Sequence, residues 1–230
     1  HHWRDSFYRV EGPVVASLRG SFWQQWRHCT RQSPPESAAN PTPSPTGQMW
    51  AQPVADFGPR DEDLVYQLYR EAIAAAHHHI RIGMAYFVPD ATLVEALLDA
   101  RRRGVTVEIL LPGKHMDSKP VTPASRRRWG KLLKAGARIY LYQPTMYHNK
   151  LLIADTAFVS IGSANLDPRT FRSNDELNLN VHSPEFAADQ IRRFELDLER
   201  SREITYGEWK RRSLCQRVYE ILVWPFIPLL

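Results

Sequence analysis

Cysteine is scarce in this sequence, and a long apolar run is absent from it. Only Cys29 and Cys215 occur, far apart and without the spacing of metal ligands, so neither a disulfide framework nor a metal site is expected. No stretch reaches the roughly 20 apolar residues that span a bilayer. The first residues also lack the apolar core of a signal peptide. We therefore expect a chain in a reducing compartment without a transmembrane segment.

Acidic residues are outnumbered by basic ones, which leaves a formal net charge of +5 and a sequence pI near 9.3. A basic chain favours partners that carry phosphate, either nucleic acid or an anionic lipid surface. Charge alone does not choose between these two partners.

The composition changes along the chain. Residues 30–59 are rich in proline, serine and threonine, which is typical of a linker that cannot bury enough apolar surface to fold. Residues 60–205 alternate helical periodicity with short apolar runs, such as a helix over Ala91–Arg103 that Gly104 ends and a strand over Val105–Leu111. This alternation predicts an α/β fold with a mostly parallel sheet between helices.

The last segment, residues 206–230, is amphipathic. Its apolar part follows Lys210, Arg211 and Arg212. It could lie on a membrane surface or dock on the protein core, and the sequence leaves both readings open.

A weak internal repeat relates the N-terminus to a later segment. Both segments show an acidic residue, a strand-like run and a proline that opens a helix. These positions are Asp5, Val10 and Pro13 in the first segment and Glu176, Val181 and Pro184 in the second. The repeat predicts that residues 1–29 are the tail of a preceding copy of the same domain. Chance similarity of two strand-to-helix segments is the alternative.

One short region carries the chemistry. His148 and Lys150 lie at the start of a predicted strand, which holds an imidazole and an ammonium side by side. The next predicted strand, Ala157–Ile161, is followed by Gly162, Ser163 and Asn165, where glycine allows close approach of the backbone. A phosphodiester transfer needs such a set: a nucleophile or general acid, a fixed cation and neutral hydrogen-bond donors.

The whole string, H-x-K, then Asp155, then G-S-x-N, resembles the signature of the phospholipase D superfamily. Further segments look like the cardiolipin synthase branch, in the half that carries its second motif: Tyr86–Asp90, Gly104–Val107, Leu111–Gly113, Gly162–Arg169 and Asn174–Glu176. The opening residues 3–15 resemble the segment after the family's first motif. The resemblance implies a phospholipase D-like mixed sheet flanked by helices, with one repeat plus the tail of a preceding repeat.

The family's chemistry implies roles for these residues. It is a phosphatidyl transfer, two phosphatidylglycerols giving cardiolipin and glycerol, through a phosphohistidine and without a cofactor. The resemblance makes His148, Lys150 and Asp155 the catalytic set, with His148 either nucleophile or general acid and Asp155 orienting the site rather than reacting. Ser163 and Asn165 would bind phosphate. The supporting residues are Gly162 and Glu176, the latter lying where the family keeps an acid that partners a histidine.

The same resemblance implies anionic phospholipid and a membrane surface as partners, with no nucleic acid. It implies a peripheral location at the cytoplasmic side of a bacterial inner membrane. No second H-x-K string followed by aspartate occurs, so a preceding repeat or a second copy must complete the site. The alternatives are a hydrolytic phospholipase D, a nuclease of the same chemistry, or an inactive fragment.

Overall fold

The computed structural model describes residues 3–35, 44, 46–57, 63–117, 121–172 and 174–223. Ten strands and eight helices occur in these ranges. The strands are β1 (Trp3–Arg4), β2 (Trp50–Asp56), β3 (His79–Met84), β4 (Thr106–Pro112), β5 (Arg138–Tyr142), β6 (Met146–Tyr147), β7 (Lys150–Ala154), β8 (Phe158–Gly162), β9 (Glu176–His182) and β10 (Ser201–Ile204). The helices are α1 (Val14–Thr30), α2 (Leu64–Ala75), α3 (Ala91–Arg102), α4 (Val121–Lys134), α5 (Pro168–Arg172), α6 (Pro184–Glu199), α7 (Tyr206–Lys210) and α8 (Leu214–Val223).

Eight of the strands form one mixed sheet in the order β10-β5-β4-β3-β7-β8-β9-β2. Its parallel pairs are β3 with β4 and β4 with β5, and the other neighbours are antiparallel. The mixed sheet that the resemblance implied is confirmed. The mostly parallel sheet expected from the alternation of helices and strands is wrong, because β7, β8 and β9 follow one another without a crossover helix.

The expected linker over residues 30–59 is wrong for Trp50–Asp56. These residues form β2, which pairs along its length with β9 at one edge of the sheet. An edge strand tolerates Pro53, because only one of its sides needs hydrogen-bond donors. Much of the remaining predicted linker, including residues 36–43, lies outside the described residues.

The two faces of the sheet are covered differently. Helices α2, α3 and α4 cover one face and bury the larger apolar cluster. Helix α6 covers the other face, and the N-terminal segment adds Val10, Val14 and Leu18 to its cluster. Within the described part of the chain, no helix is long and apolar enough to cross a membrane.

The predicted helix after Tyr86 is confirmed, with sharp ends. The Asp90 carboxylate accepts the Leu93 N–H at 2.8 Å at the start of α3, and Gly104 with φ 90° follows its end. The C-terminal end of β4 and the N-terminal end of β7 lie at the same end of the sheet, because β4 is parallel to β3 and β7 is antiparallel to it. The predicted site residues other than Asp155 gather at this end of the sheet.

Candidate active site

His148 and Lys150 lie together at the end of the sheet where β7 begins. His148 precedes the strand, and its backbone N–H donates to the Arg4 carbonyl at 2.9 Å, beside the short parallel pairing of β1 with β6. The Lys150 Nζ lies 2.9 Å from His148 Nε2 and 3.1 Å from Nδ1. The ammonium also donates to the His148 carbonyl at 2.8 Å. The side-by-side imidazole and ammonium that the motif predicted are therefore present.

The acid that contacts His148 comes from the N-terminal segment. Asp5 Oδ2 lies 3.0 Å from His148 Nδ1, although the two residues are 143 positions apart. An ionised carboxylate only accepts hydrogen bonds, so the proton between these two atoms lies on Nδ1, and in the neutral ring the lone pair is then on Nε2. The Trp3 ring packs against the imidazole with centroids 4.4 Å apart. Sequence reasoning did not assign either contact.

The N-terminal segment is held in place by its own anchors. Arg4 makes a two-point ion pair with the buried Asp197 on α6, with N–O distances of 2.9 and 2.8 Å. The Tyr8 hydroxyl donates to Gln190 on the same helix at 2.9 Å. A paired Arg and carboxylate fixes orientation as well as distance. These contacts place Asp5 beside His148.

Gly162 ends β8 next to Lys150, and Ser163 follows the strand. Gly162 pairs with Asn178 of β9, and a Cβ added at Gly162 would lie 2.3 Å from the Leu177 carbonyl oxygen. The Ser163 N–H donates to that carbonyl at 3.1 Å, and the Ser163 hydroxyl accepts the Leu177 N–H at 3.0 Å. The glycine predicted to allow close approach is thus found at a close approach of two strands.

Asn165 faces the end of β3. Its Oδ1 accepts the Tyr86 N–H at 3.1 Å, so the amide is oriented by backbone rather than by a charged neighbour. With one oxygen committed, the Nδ2 group is the part of this side chain that can donate to a phosphoryl oxygen.

A buried polar network holds the loop that carries Ser163 and Asn165. The Asn178 Nδ2 donates to the Tyr69 hydroxyl at 2.8 Å and to the Ser160 hydroxyl at 3.0 Å. The Tyr69 hydroxyl in turn donates to the Ala164 carbonyl at 2.9 Å. Each member has a partner, which is the condition for a buried network to stabilise one conformation. None of these supporting residues was predicted from the sequence.

Glu176 is buried at the start of β9, at the same end of the sheet as Lys150. Burial raises its pKa, and hydrogen bonds from Ser163 and Asn174 partly offset the rise. Burial also lowers the pKa of the Lys150 ammonium, while the carboxylates of Asp5 and Glu176 oppose that change. Lys150 is therefore a cation near the carboxylates of Asp5 and Glu176.

Asp155 does not lie at the end of the sheet that carries His148 and Lys150. It lies at the opposite end of β7, in the left-handed region with φ 55°. Its carboxylate accepts the backbone N–H groups of His77, His78 and His79, at 3.0, 2.7 and 2.9 Å. Asp155 thus ties the turn after β7 to the start of β3, and it acts on the site only through the strand.

A pocket of about 190 Å³ opens beside the pair. Its lining includes Asp5, Asn149, Lys150 and Gly162, and its surface is mainly apolar. The His148 imidazole, the Lys150 ammonium and the Ser163 hydroxyl lie at the same end of the sheet. In its neutral form the imidazole can attack a phosphodiester, and the ammonium and the hydroxyl can stabilise the charge that develops on its oxygens.

Known proteins that resemble this chain are cardiolipin synthases and other members of the phospholipase D family. The family model "Cardiolipin synthase, PLD-like domain" matches residues 69–198. Cardiolipin synthase A of Pseudomonas putida (strain W619) is 38% identical over 217 residues, which covers 94% of this chain and 44% of that protein. Cardiolipin synthase 2 of Bacillus anthracis is 33% identical over 220 residues, 95% of this chain and 43% of that protein. The chain thus spans less than half the length of the curated relatives it matches.

Solved structures share the fold at low identity. Nuc from Salmonella typhimurium, a phospholipase D family member, superposes with a TM-score of 0.59 at 22% identity, over 69% of this chain and 99% of that chain. Phosphatidylserine synthase from Haemophilus influenzae superposes with a TM-score of 0.63 at 18% identity, over 79% of this chain and 46% of that chain.

Proposed function

The chain belongs to the cardiolipin synthase family of phospholipase D-like domains, and we propose that it supplies one half of the active site of a phosphatidyltransferase. The proposed reaction joins two phosphatidylglycerols into cardiolipin and releases glycerol. The observation that carries the proposal is the contact of His148 with both Asp5 and Lys150. Such a cluster fits an imidazole that exchanges a proton or a phosphoryl group.

The chemistry follows from the tautomer that Asp5 selects. If His148 is the nucleophile, its Nε2 attacks phosphorus, a P–N bond forms, and the P–O bond to glycerol breaks. A second histidine gives its proton to the leaving glycerol oxygen. It then takes the proton of the incoming headgroup hydroxyl, whose oxygen attacks phosphorus and frees His148. If His148 is instead the acid, the two histidines exchange these roles.

Lys150, Ser163 and Asn165 are proposed to hold the phosphoryl oxygens during transfer. The Lys150 Nζ already lies 2.9 Å from the reacting nitrogen, so a phosphate bound there would meet the ammonium at once. Asp155 and Gly162 are assigned supporting roles: Asp155 fixes the far end of β7, and Gly162 lets Ser163 approach β9.

The second histidine is proposed to come from a preceding repeat or from a second copy of the chain. The internal repeat aligns Glu176 with Asp5, and Asp5 partners His148. Glu176 is accordingly the acid that we assign to the missing histidine. Its position supports this assignment, because Glu176 is buried near the site and its carboxylate counteracts the burial that lowers the pKa of Lys150.

The proposed partners are phosphatidylglycerol and the membrane surface that contains it. We propose a peripheral enzyme at the cytoplasmic side of a bacterial inner membrane. The basic net charge is consistent with an anionic lipid surface.

The test joins this chain to the N-terminal half of the Pseudomonas putida relative, of whose length the chain covers 44%. We expect the chimera to convert phosphatidylglycerol vesicles into cardiolipin, measured by mass spectrometry. His148→Ala should abolish the product, whereas the matched change His182→Ala, at an exposed histidine on β9, should not. Phosphatidic acid alone would instead favour a hydrolytic phospholipase D, and plasmid cleavage that depends on His148 would favour a nuclease.

A further inference from the structure

Helix α8 turns its apolar side away from the protein. Leu214, Val218, Ile221 and Leu222 recur at the spacing of one helical face, and 76, 54, 57 and 62% of their surfaces are exposed. In an ordinary surface helix this face would point into the core. The exposed face of α8 is therefore a continuous apolar stripe on the outside of the domain.

Glu220 and Val223 are the residues of α8 that face inward. Glu220 is 2% exposed, and its carboxylate pairs with the Arg212 guanidinium at 2.9 and 3.0 Å. The same guanidinium stacks on the Trp209 ring at 3.9 Å. A buried pair of this kind is costly to break, so it fixes which side of the helix points outward. The stripe cannot rotate inward without leaving a buried charge unpaired.

Cations border the stripe. Lys210, Arg211 and Arg217 are exposed, and Glu220, which is buried, is the sole acidic residue between positions 210 and 223. An apolar stripe with basic neighbours is the pattern of a helix that lies in the interface of an anionic membrane. Docking on a neutral apolar protein surface would not call for these charges.

The helix ends close to the site. Val223 packs with Val88 and Val121 in a small cluster against which Tyr86 also lies. The Tyr86 N–H is the group that orients Asn165. The C-terminal end of α8 thus packs in the same small cluster as Tyr86, the residue that orients a proposed phosphate-binding side chain.

We propose that the exposed face of α8 binds the surface of an anionic phospholipid membrane and so brings His148 and Lys150 close to their lipid substrate. The inference deepens the proposed function and rests on it for the identity of the substrate. The binding itself requires no turnover and can be measured on the 230-residue chain.

The two cysteines provide a matched pair of probe sites. Both are exposed, Cys215 beside the stripe on α8 and Cys29 near the end of α1. An environment-sensitive dye is placed on Cys215 in a Cys29→Ser chain, and on Cys29 in a Cys215→Ser chain. With vesicles of phosphatidylcholine and phosphatidylglycerol, we expect a blue shift and quenching by lipid-borne quenchers for the dye at position 215 and neither change at position 29.

Variants test the stripe and its charges by vesicle sedimentation. Ile221→Ser with Leu222→Ser should weaken binding at least tenfold, since each loses most of the burial of a large apolar side chain. The matched controls Leu64→Ser and Leu196→Ser, whose side chains are 46 and 49% exposed elsewhere, should leave it unchanged. Arg217→Gln should cost roughly fivefold on anionic vesicles.

Several outcomes would overturn the inference. A lipid-dependent change at position 29 alone would place the contact on α1, and equal binding to pure phosphatidylcholine would remove the role of the cations. A shift at position 215 that depends on protein concentration without lipid would assign the stripe to a second copy of the chain. Membrane binding through α8 in a chimera that transfers no phosphatidyl group would refute the proposed function and leave this inference intact.

Discussion

Replacing Gly162 by alanine adds a methyl group where the neighbouring strand already lies. The new Cβ would be 2.3 Å from the Leu177 carbonyl oxygen, 2.3 Å from Asn178 Oδ1 and 2.6 Å from Asn178 Cα. Two of these atoms belong to backbone, so no side-chain rotation removes the overlap. Strands β8 and β9 must separate at the position where they hydrogen-bond.

The magnitude follows from two contributions. Overpacking in a close-packed region costs about 1 to 3 kcal/mol. Weakening of the 3.1 Å bond from the Ser163 N–H to the Leu177 carbonyl adds about 0.5 to 1.5 kcal/mol. We expect a loss of about 2 to 4 kcal/mol in the free energy of unfolding, seen as a urea midpoint lowered by about 1 to 2 M.

A matched glycine gives the opposite sign. Gly20 lies within α1, and a Cβ added there meets nothing within 4 Å. Gly20→Ala should therefore stabilise the chain by about 0.5 to 1 kcal/mol, because alanine is the better helix former. The reasoning fails if Gly162→Ala unfolds at or above the wild-type midpoint while Gly20→Ala behaves as stated.

Three further predictions concern the acid, the network and the turn. Asp5→Asn in the chimera should lower cardiolipin formation by about 100-fold or more, because His148 loses the carboxylate that selects its tautomer; unchanged turnover would remove Asp5 from the site. Tyr69→Phe should cost about 1 to 3 kcal/mol in urea unfolding, since it strands the buried Ala164 carbonyl; a change below 0.5 kcal/mol, roughly the least expected for one hydrogen bond, would contradict this. Burial opposes ionisation of Asp155, but three backbone N–H groups outweigh it and lower the pKa below its ordinary 3.8. Its stabilisation is therefore present above that value and is lost as the pH falls through the folded pKa, so the wild-type advantage over Asp155→Asn, measured by urea unfolding, should vanish in acid and not in base.

The local part of the site was predictable from sequence. His148, Lys150, Gly162 and Ser163 lie at the ends of adjacent short strands, and the alternation of side chains fixes where such ends point. Spacing along one hairpin is short-range information, which a sequence carries directly.

The edge strand β2 could not be found by composition. Trp50–Asp56 follows a proline-rich stretch and contains Pro53, both of which argue against a strand. What makes it a strand is the exposed edge of β9, which lies more than a hundred residues away. The hairpin of β7 and β8 was, by contrast, visible in the short turn after Ala154, although the expected sheet was still mostly parallel.

Asp5, the partner of His148, was less predictable from the sequence than the motif but more predictable than β2. No local pattern marks Asp5 as a site residue, because its contact depends on the anchoring of Arg4 by Asp197. The internal repeat nevertheless aligned Asp5 with Glu176, an acid already assigned to histidine. Had that alignment been taken as a statement about function as well as ancestry, Asp5 would have been a candidate.

The contact between Asp5 and His148 joins two parts of the chain that could be exchanged separately in evolution. The family model begins at residue 69, so the unit it recognises contains the histidine but not the acid that touches it. A recombination event between those positions would exchange the carboxylate while retaining the motif. Chimeras of related proteins joined near residue 60 should therefore keep their fold and still vary in activity with the origin of the first few residues, as a test of compatibility between parts inherited separately.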